Sequence, residues 1–127
     1  MRAKKVLIAE DNCDGAESLQ RLIQTWGHHA EAMHDGLQAV QFAEVFEPDV
    51  AILDINMPVM DGYTAARLLR RAHAQVLLIA MTGSAHVETP LRAREAGFHH
   101  HFEKPIDLTE LKALLSSDLA DRSTLSH

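Results

Sequence analysis

Three apolar runs, "KVLIA" at 5–9, "VAIL" at 50–53 and "QVLLIAM" at 75–81, are continuous rather than alternating. A strand with one wet face alternates apolar and polar side chains, so unbroken runs predict strands covered on both faces, as in parallel sheets. Parallel neighbours require long crossovers, and the intervening segments carry helical periodicity. Residues 14–26 place Ala16, Leu19, Leu22, Ile23 and Trp26 on one stripe, with Gly27 as the stop and Trp26 assigned to the core. Asp35 is a candidate cap for a helix carrying Leu37, Val40, Phe42, Val45 and Phe46, ended before Pro48. Asp61 is the candidate cap of 62–72, with Ala65, Leu68 and Leu69 turned inward. Pro90 suits the first turn of a shorter helix closed by Gly97, and Leu108, Leu111, Leu114 and Leu115 mark a last one. Two weaker strands, "HAEAM" (29–33) and "HHHFE" (99–103), complete five alternations. The expectation is one α/β domain with right-handed crossovers and helices on both faces of its sheet.

Bulk properties exclude several classes. A chain of 127 residues has room for one domain, with a core over about 4–117 and a polar tail over 118–127. Its net charge of −6 argues against nucleic acid or an anionic membrane as a direct partner, because both repel acidic surfaces. One cysteine excludes an internal disulfide and a cysteine-based zinc cluster, which suits a reducing cytoplasm. The opening "MRAKKVLIAEDN" is basic, but its apolar run is too short for an export signal. No segment approaches the ~20 apolar residues of a membrane span.

Open α/β sheets bind ligands at the carboxyl ends of their strands. Strand one ends in Glu10-Asp11, strand three in Asp54, strand four in Thr82 and strand five in Lys104-Pro105. Singly, each has a plain reading. Asp11 or Asn12 caps the first helix, Thr82 suits a strand, and Lys104 is a solvated charge. Asp54 resists such a reading, because the next helix begins near Asp61, too far away to be capped by it. Jointly the pattern is harder to dismiss. Three neighbouring carboxylates repel and raise one another's pKa, a penalty that a divalent cation removes. An all-oxygen site with open positions suits Mg²⁺. Beside the metal, an aspartate can attack a phosphoryl group and form an acyl phosphate. Phosphoryl transfer otherwise needs cations and donors on the equatorial oxygens, a role for the Lys104 ammonium and the Thr82 hydroxyl.

The segments "LIAEDN" (7–12), "LDINMPVMDGY" (53–63), "MTG" (81–83) and "EKP" (103–105) resemble the receiver domain of two-component response regulators, in order and on the expected elements. The resemblance implies a flavodoxin-like (βα)5 sandwich with a five-stranded parallel sheet of order 2-1-3-4-5. It implies Asp54 as phosphoacceptor, Asp11 as a direct Mg²⁺ ligand, Glu10 as a ligand through water, and the Asn56 backbone carbonyl as the last protein ligand, with Mn²⁺ an admissible substitute. It makes Thr82 the switch hydroxyl and Lys104 the phosphate-binding lysine, joined to Pro105 by a cis bond, which a tertiary amide tolerates. Asn56 and Ser84 take positions that tune the lifetime of the phosphoryl group, and "MPVMDG" frames Asp54, with Met57 and Met60 as packing residues. The implied partners are a histidine kinase or histidine phosphotransfer protein, and a downstream protein at the face of the fourth helix, fifth strand and fifth helix. No helix-turn-helix follows residue ~117, so output is expected through protein contacts. "GFHHHFEKPID" is similar to receivers at the ends of hybrid histidine kinases, leaving a stand-alone regulator and a hybrid-kinase receiver both open.

The run His99-His100-His101 has two readings. In a strand, His99 and His101 face one way and His100 and Phe102 the other, so the three cannot share one metal ion, and two ligands alone make a poor site. In the resemblance, His101 stands three residues before Lys104, where receivers carry Tyr or Phe as a rotameric switch. Histidine there adds polarity and a near-neutral pKa. Cys13 reads as a small helix-start residue rather than an oxidant sensor. Of the competing functions, a phosphohydrolase of the haloacid dehalogenase type wants a second Asp two residues after the nucleophile, where this chain has Asn56. A nucleotide or flavin binder wants a glycine-rich phosphate loop that the six glycines do not form. A receiver-like scaffold that is never phosphorylated stays open.

Overall fold

The computed structural model describes residues 3–83 and 90–116. Five strands alternate with five helices along the chain: β1 (Lys5–Ala9), α1 (Cys13–Thr25), β2 (His29–Met33), α2 (Gly36–Phe46), β3 (Val50–Asp54), α3 (Gly62–Ala72), β4 (Leu77–Thr82), α4 (Pro90–Ala96), β5 (His100–Glu103) and α5 (Leu108–Ser116). The strands form one sheet of order β2-β1-β3-β4-β5, every neighbouring pair parallel. This is the doubly wound, flavodoxin-like arrangement expected from the unbroken apolar runs.

The register explains those runs. Val6, Ile8, Val50, Ile52, Leu77, Ile79 and Met81 pack on one face with Ile23 of α1 and Leu111 and Leu115 of α5. Leu7, Ala9, Ala51, Leu53, Leu78 and Ala80 pack on the other face beneath α2, α3 and α4. Alternate residues of β1, β3 and β4 therefore enter two different cores, and none can be polar without an orphaned group. Truncating one of them, Leu53→Ala for instance, costs about 2–5 kcal/mol. The edge strands β2 and β5 are partly exposed and carry the polar sequences HAEAM and HHFE.

The helix starts behave as the sequence predicts. Asn12, Asp35 and Asp61 are extended caps whose side chains accept N–H groups of Gly15, Gln38 and Thr64 at 3.1, 2.8 and 2.8 Å. Asn12 rather than Asp11 thus caps α1. Cys13 is the exposed first residue of that helix. Trp26 half-packs against the α1/α5 core, with the Lys112 ammonium 5.9 Å from its ring.

One helix differs from its expected pattern. In α2 the buried residues are Gly36, Ala39 and Ala43. Leu37 is 39% and Val45 80% exposed, while Val40, Phe42 and Phe46 sit on the flanks of the core. The helix lies close to its neighbours, so small side chains take the inner face and large ones are displaced outward. Leu68 is likewise only half-buried. Strand β4 begins two residues later than the apolar run, because Val76 closes a turn onto the His73 carbonyl at 3.1 Å.

His28, between α1 and β2, is 4% exposed. Its Nδ1 accepts the Lys4 N–H at 3.0 Å, so the neutral ring carries its proton on Nε2, which is buried with no hydrogen-bond partner. Burial lowers its pKa below the ordinary 6.5, helped by the charge of Lys4 and by His29. A lowered histidine pKa means that the unfolded chain takes up the proton more readily, so stability falls as pH drops through the unfolded value. Urea midpoints at pH 7.5 and 5.5 should therefore fall more for wild type than for His28→Gln, whose amide oxygen can still accept the Lys4 N–H. Equal falls would acquit His28.

Candidate functional site

The carboxyl ends of β1, β3, β4 and β5 bring the predicted residues onto one rim. Glu10 follows β1 and is tied to the neighbouring strand β2 by its N–H, which donates to the Met33 carbonyl at 3.0 Å. Asp54 is the last residue of β3 and is 4% exposed, and Glu10 is 6% exposed. Lys104 follows β5, its N–H bound to the Thr82 carbonyl at 2.8 Å. The Lys104 Nζ reaches Glu10 Oε1 at 2.6 Å and Asp54 Oδ2 at 2.7 Å. The other Asp54 oxygen, Oδ1, accepts the Asn56 N–H at 2.9 Å. The Asp54 carboxylate is thereby held at both oxygens. The Lys104–Pro105 peptide is cis, as expected.

Glu10, Asp11 and Asp54 each offer a carboxylate oxygen within 4.8 Å of the others. Among the described residues they are the group that could hold a metal ion, and the histidines are not part of it. Three acids against one ammonium leave a negative excess, and the donors are all hard oxygens, so the set fits a small divalent cation. Desolvation raises the Glu10 pKa above 4.5, and the neighbouring Asp54 carboxylate adds to the rise more than Lys104 offsets it. For Lys104, desolvation alone would lower the pKa, but hydrogen bonds and attraction from Asp54 and Glu10 together outweigh it and hold the ammonium above 10.5.

Thr82 ends β4, and its Oγ1 lies 3.2 Å from His101 Nε2. The three histidines therefore part ways. Ile79 pairs with His100 and Ala80 with His101, so His101 faces the α4 side and His100 and Phe102 the opposite side. His99 lies one residue before the strand; its N–H donates to the Leu78 carbonyl at 2.7 Å and its Nδ1 accepts the Leu78 N–H at 3.0 Å. Its Nε2 faces Arg70 Nη1 at 3.4 Å while His101 Nε2 faces Thr82, so the two rings do not converge on a common ion. Met57 and Met60 pack against the core, as expected. Ser84 lies outside the described residues.

Two contributors escaped sequence reasoning. Gly62 opens α3 directly against the end of β3, donating to the Ile55 carbonyl at 2.9 Å, and a Cβ there would collide with the Asp54 carbonyl and lie 2.8 Å from Ile55 Cα. It permits the close approach that seats Asp54. The Asp-Gly pair after "MPVM" was its visible signal. His34, whose Nδ1 lies 3.3 Å from the Glu10 carbonyl, had none.

Residues 6–116 match the response regulator receiver domain family. This chain belongs to that family. It is 32% identical over 120 residues to the transcriptional regulatory protein PrrA of Mycobacterium tuberculosis H37Rv, covering 94% of this chain and 52% of PrrA. It is 30% identical over 109 residues to the response regulator MprA of Mycobacterium ulcerans Agy99, covering 86% of this chain and 47% of MprA. The chain thus spans about half the length of these relatives. Among solved structures, the receiver domain of the sensor histidine kinase PA1611 of Pseudomonas aeruginosa PAO1 superposes with a TM-score of 0.80 at 29% identity, covering 90% of this chain and 95% of that one. That structure holds a magnesium ion coordinated in its active-site cleft. A CheY-like receiver domain from Methanospirillum hungatei JF-1 shares the fold with a TM-score of 0.89, at 20% identity over 98% of this chain and 100% of that one. Receiver domains are signalling domains of two-component systems, and the acidic cluster of this one fits the magnesium chemistry of the family.

Removing the ammonium from this receiver should expose the repulsion it suppresses. Lys104→Met is expected to destabilise by about 1–3 kcal/mol, the scale of a lost charged hydrogen bond to partly buried acids. Millimolar Mg²⁺ should raise the denaturant midpoint of Lys104→Met more than that of wild type. An equal rise in both would show that cation and ammonium do not share those acids.

Proposed function

We propose that Asp54 is the phosphoacceptor of a two-component phosphorelay, with phosphohistidine on a histidine kinase or histidine phosphotransfer protein as donor. The observation that carries this reading is the Asp54 carboxylate held between the Asn56 N–H and the Lys104 ammonium, beside Glu10 and Asp11. An oxygen of Asp54 forms a bond to phosphorus while the phosphorus–nitrogen bond of the donor breaks. The electron pair stays on the imidazole nitrogen, which then takes a proton. Lys104 and the Thr82 hydroxyl meet the transferred oxygens. Glu10, Asp11, Asp54 and the Asn56 carbonyl would hold Mg²⁺, with Mn²⁺ as substitute. The ion supplies charge neutralisation of the phosphoryl oxygens when bound. The reaction is self-modification without turnover on a small substrate. Asn56 stands where a hydrolase would need a second acid.

An apolar groove of about 360 Å³ lies between α1 and the segment after β5, beside the site, lined by Leu19, Leu22, Ile106 and Leu108. A helix carrying the donor histidine would fit there with its imidazole toward Asp54. Residues 1–127 act as one receiver domain in this reading, and a downstream protein reads the α4-β5-α5 face. The lone cysteine suits the cytoplasm, and among the described residues no helix is long and apolar enough to cross a membrane.

The switch follows from competition for one hydroxyl. Thr82 Oγ1 touches His101 Nε2, and a phosphoryl group on Asp54 would draw the same hydroxyl toward itself, freeing His101 to move. The partner must bind the two states differently for this to signal.

Incubation with acetyl phosphate and Mg²⁺ should add one HPO₃, about 80 Da by intact mass, as aspartyl phosphate chemistry requires. The adduct should vanish in Asp54→Asn and with excess EDTA. If no adduct forms on a folded protein and beryllofluoride does not bind, the chain works as an unphosphorylated scaffold. Beryllofluoride should change partner affinity in wild type, and His101→Ala, which loses the contact with Thr82, should shrink that change severalfold. An unchanged response in His101→Ala would remove His101 from the switch.

A further inference from the structure

At the opposite end of the sheet from Asp54, a groove of about 570 Å³ runs between the last turns of α3 and α4. Arg67, Arg70 and Arg71 line one wall and Arg94 the other. Positions 67, 70 and 71 are three and four residues apart, so they share one helix face. Half of the chain's eight arginines meet here, in a protein of net charge −6. Glu95 is the acid in the lining. Helix dipoles favour arginines in last turns, and Arg70, Arg71 and Arg94 are so placed. The dipole explains their place along each helix, and it does not explain why two helices aim them into one concavity.

The floor of the groove adds a second observation. Gly97, at φ 108°, lets the Arg70 side chain lie across the turn, since a Cβ there would come 3.0 Å from Arg70 Cδ. Arg70 Nη1 lies 3.4 Å from the Gly97 carbonyl and 3.4 Å from His99 Nε2. These contacts hold the Arg70 guanidinium at the floor of the groove, and its five N–H donors outnumber them.

We propose that this groove binds a compact anion with two or more phosphate groups. Forked guanidinium groups match phosphate oxygens in pairs. The volume is that of a small-molecule site. Phe98 is 5% exposed and offers no stacking face, and the four guanidinium groups make phosphate the feature to be recognised. The net negative charge disfavours a long nucleic acid as the occupant.

The test is a two-dimensional NMR titration of the full chain with inorganic pyrophosphate at physiological salt, without Mg²⁺, repeated with ADP. The expected result is saturable shifts concentrated at residues 67–71 and 94–99. Affinity should fall roughly tenfold or more in each of Arg70→Gln and Arg94→Gln, the scale of a lost charged hydrogen bond. Both side chains are exposed, so either variant suffices if the other misfolds. Equal binding of pyrophosphate and ADP would identify a free polyphosphate group as the ligand feature, and tighter binding of ADP a nucleotide. Non-saturating shifts, shifts confined to Glu10, Asp54 and Lys104, or affinities unchanged in both variants would overturn the proposal.

Discussion

The Lys104 ammonium is the interaction on which the rim depends. It bridges Glu10 at the end of β1 and Asp54 at the end of β3 from its own place at the end of β5. Two nearly buried carboxylates cannot stand together uncompensated, so the geometry of three strands is coupled to one side chain. The same contact sets the chemistry. It orients Asp54 and favours the ionised form of Glu10, against the burial and the Asp54 carboxylate that raise the Glu10 pKa.

Around this rim the fold separates two tasks. The sheet and its two cores supply rigidity, because β1, β3 and β4 are buried on both faces. The adaptable contacts lie at the edge strand β5, where side chains are partly exposed. His101 touches Thr82 on the α4 side, Phe102 anchors the strand in the α1/α5 core, and Lys104 reaches the acids. A single four-residue strand and the residue after it therefore connect the acidic rim, a packed core and an outer face. Edge strands tolerate such mixed duties because only one of their sides is committed to the sheet.

Much of this was legible beforehand. Continuous apolar runs specified double burial, and asparagine or aspartate at each of the first three helix starts announced the caps. Helix α2 was misread at Leu37 and Val45 because apolar periodicity counts hydrophobic residues without knowing how close the neighbouring elements stand. Where they stand close, alanine wins the inner face over leucine. The triple histidine illustrates the opposite case. Alternation along a strand excluded a shared metal ion, yet it could not say that His99 falls outside the strand and engages Leu78.

The sequence by itself determined the strand–helix alternation, the carboxyl-end placement of Glu10, Asp11, Asp54, Thr82 and Lys104, and the membership of the receiver family. These follow from periodicity and motif order, which are properties of neighbours along the chain. Only the tertiary structure decided that Lys104 binds Glu10 and Asp54 together, that Thr82 meets His101, and that arginines from two helices line one groove. Those contacts join residues 19 to 94 positions apart. Their distances depend on crossover packing and sheet register, which no local pattern encodes.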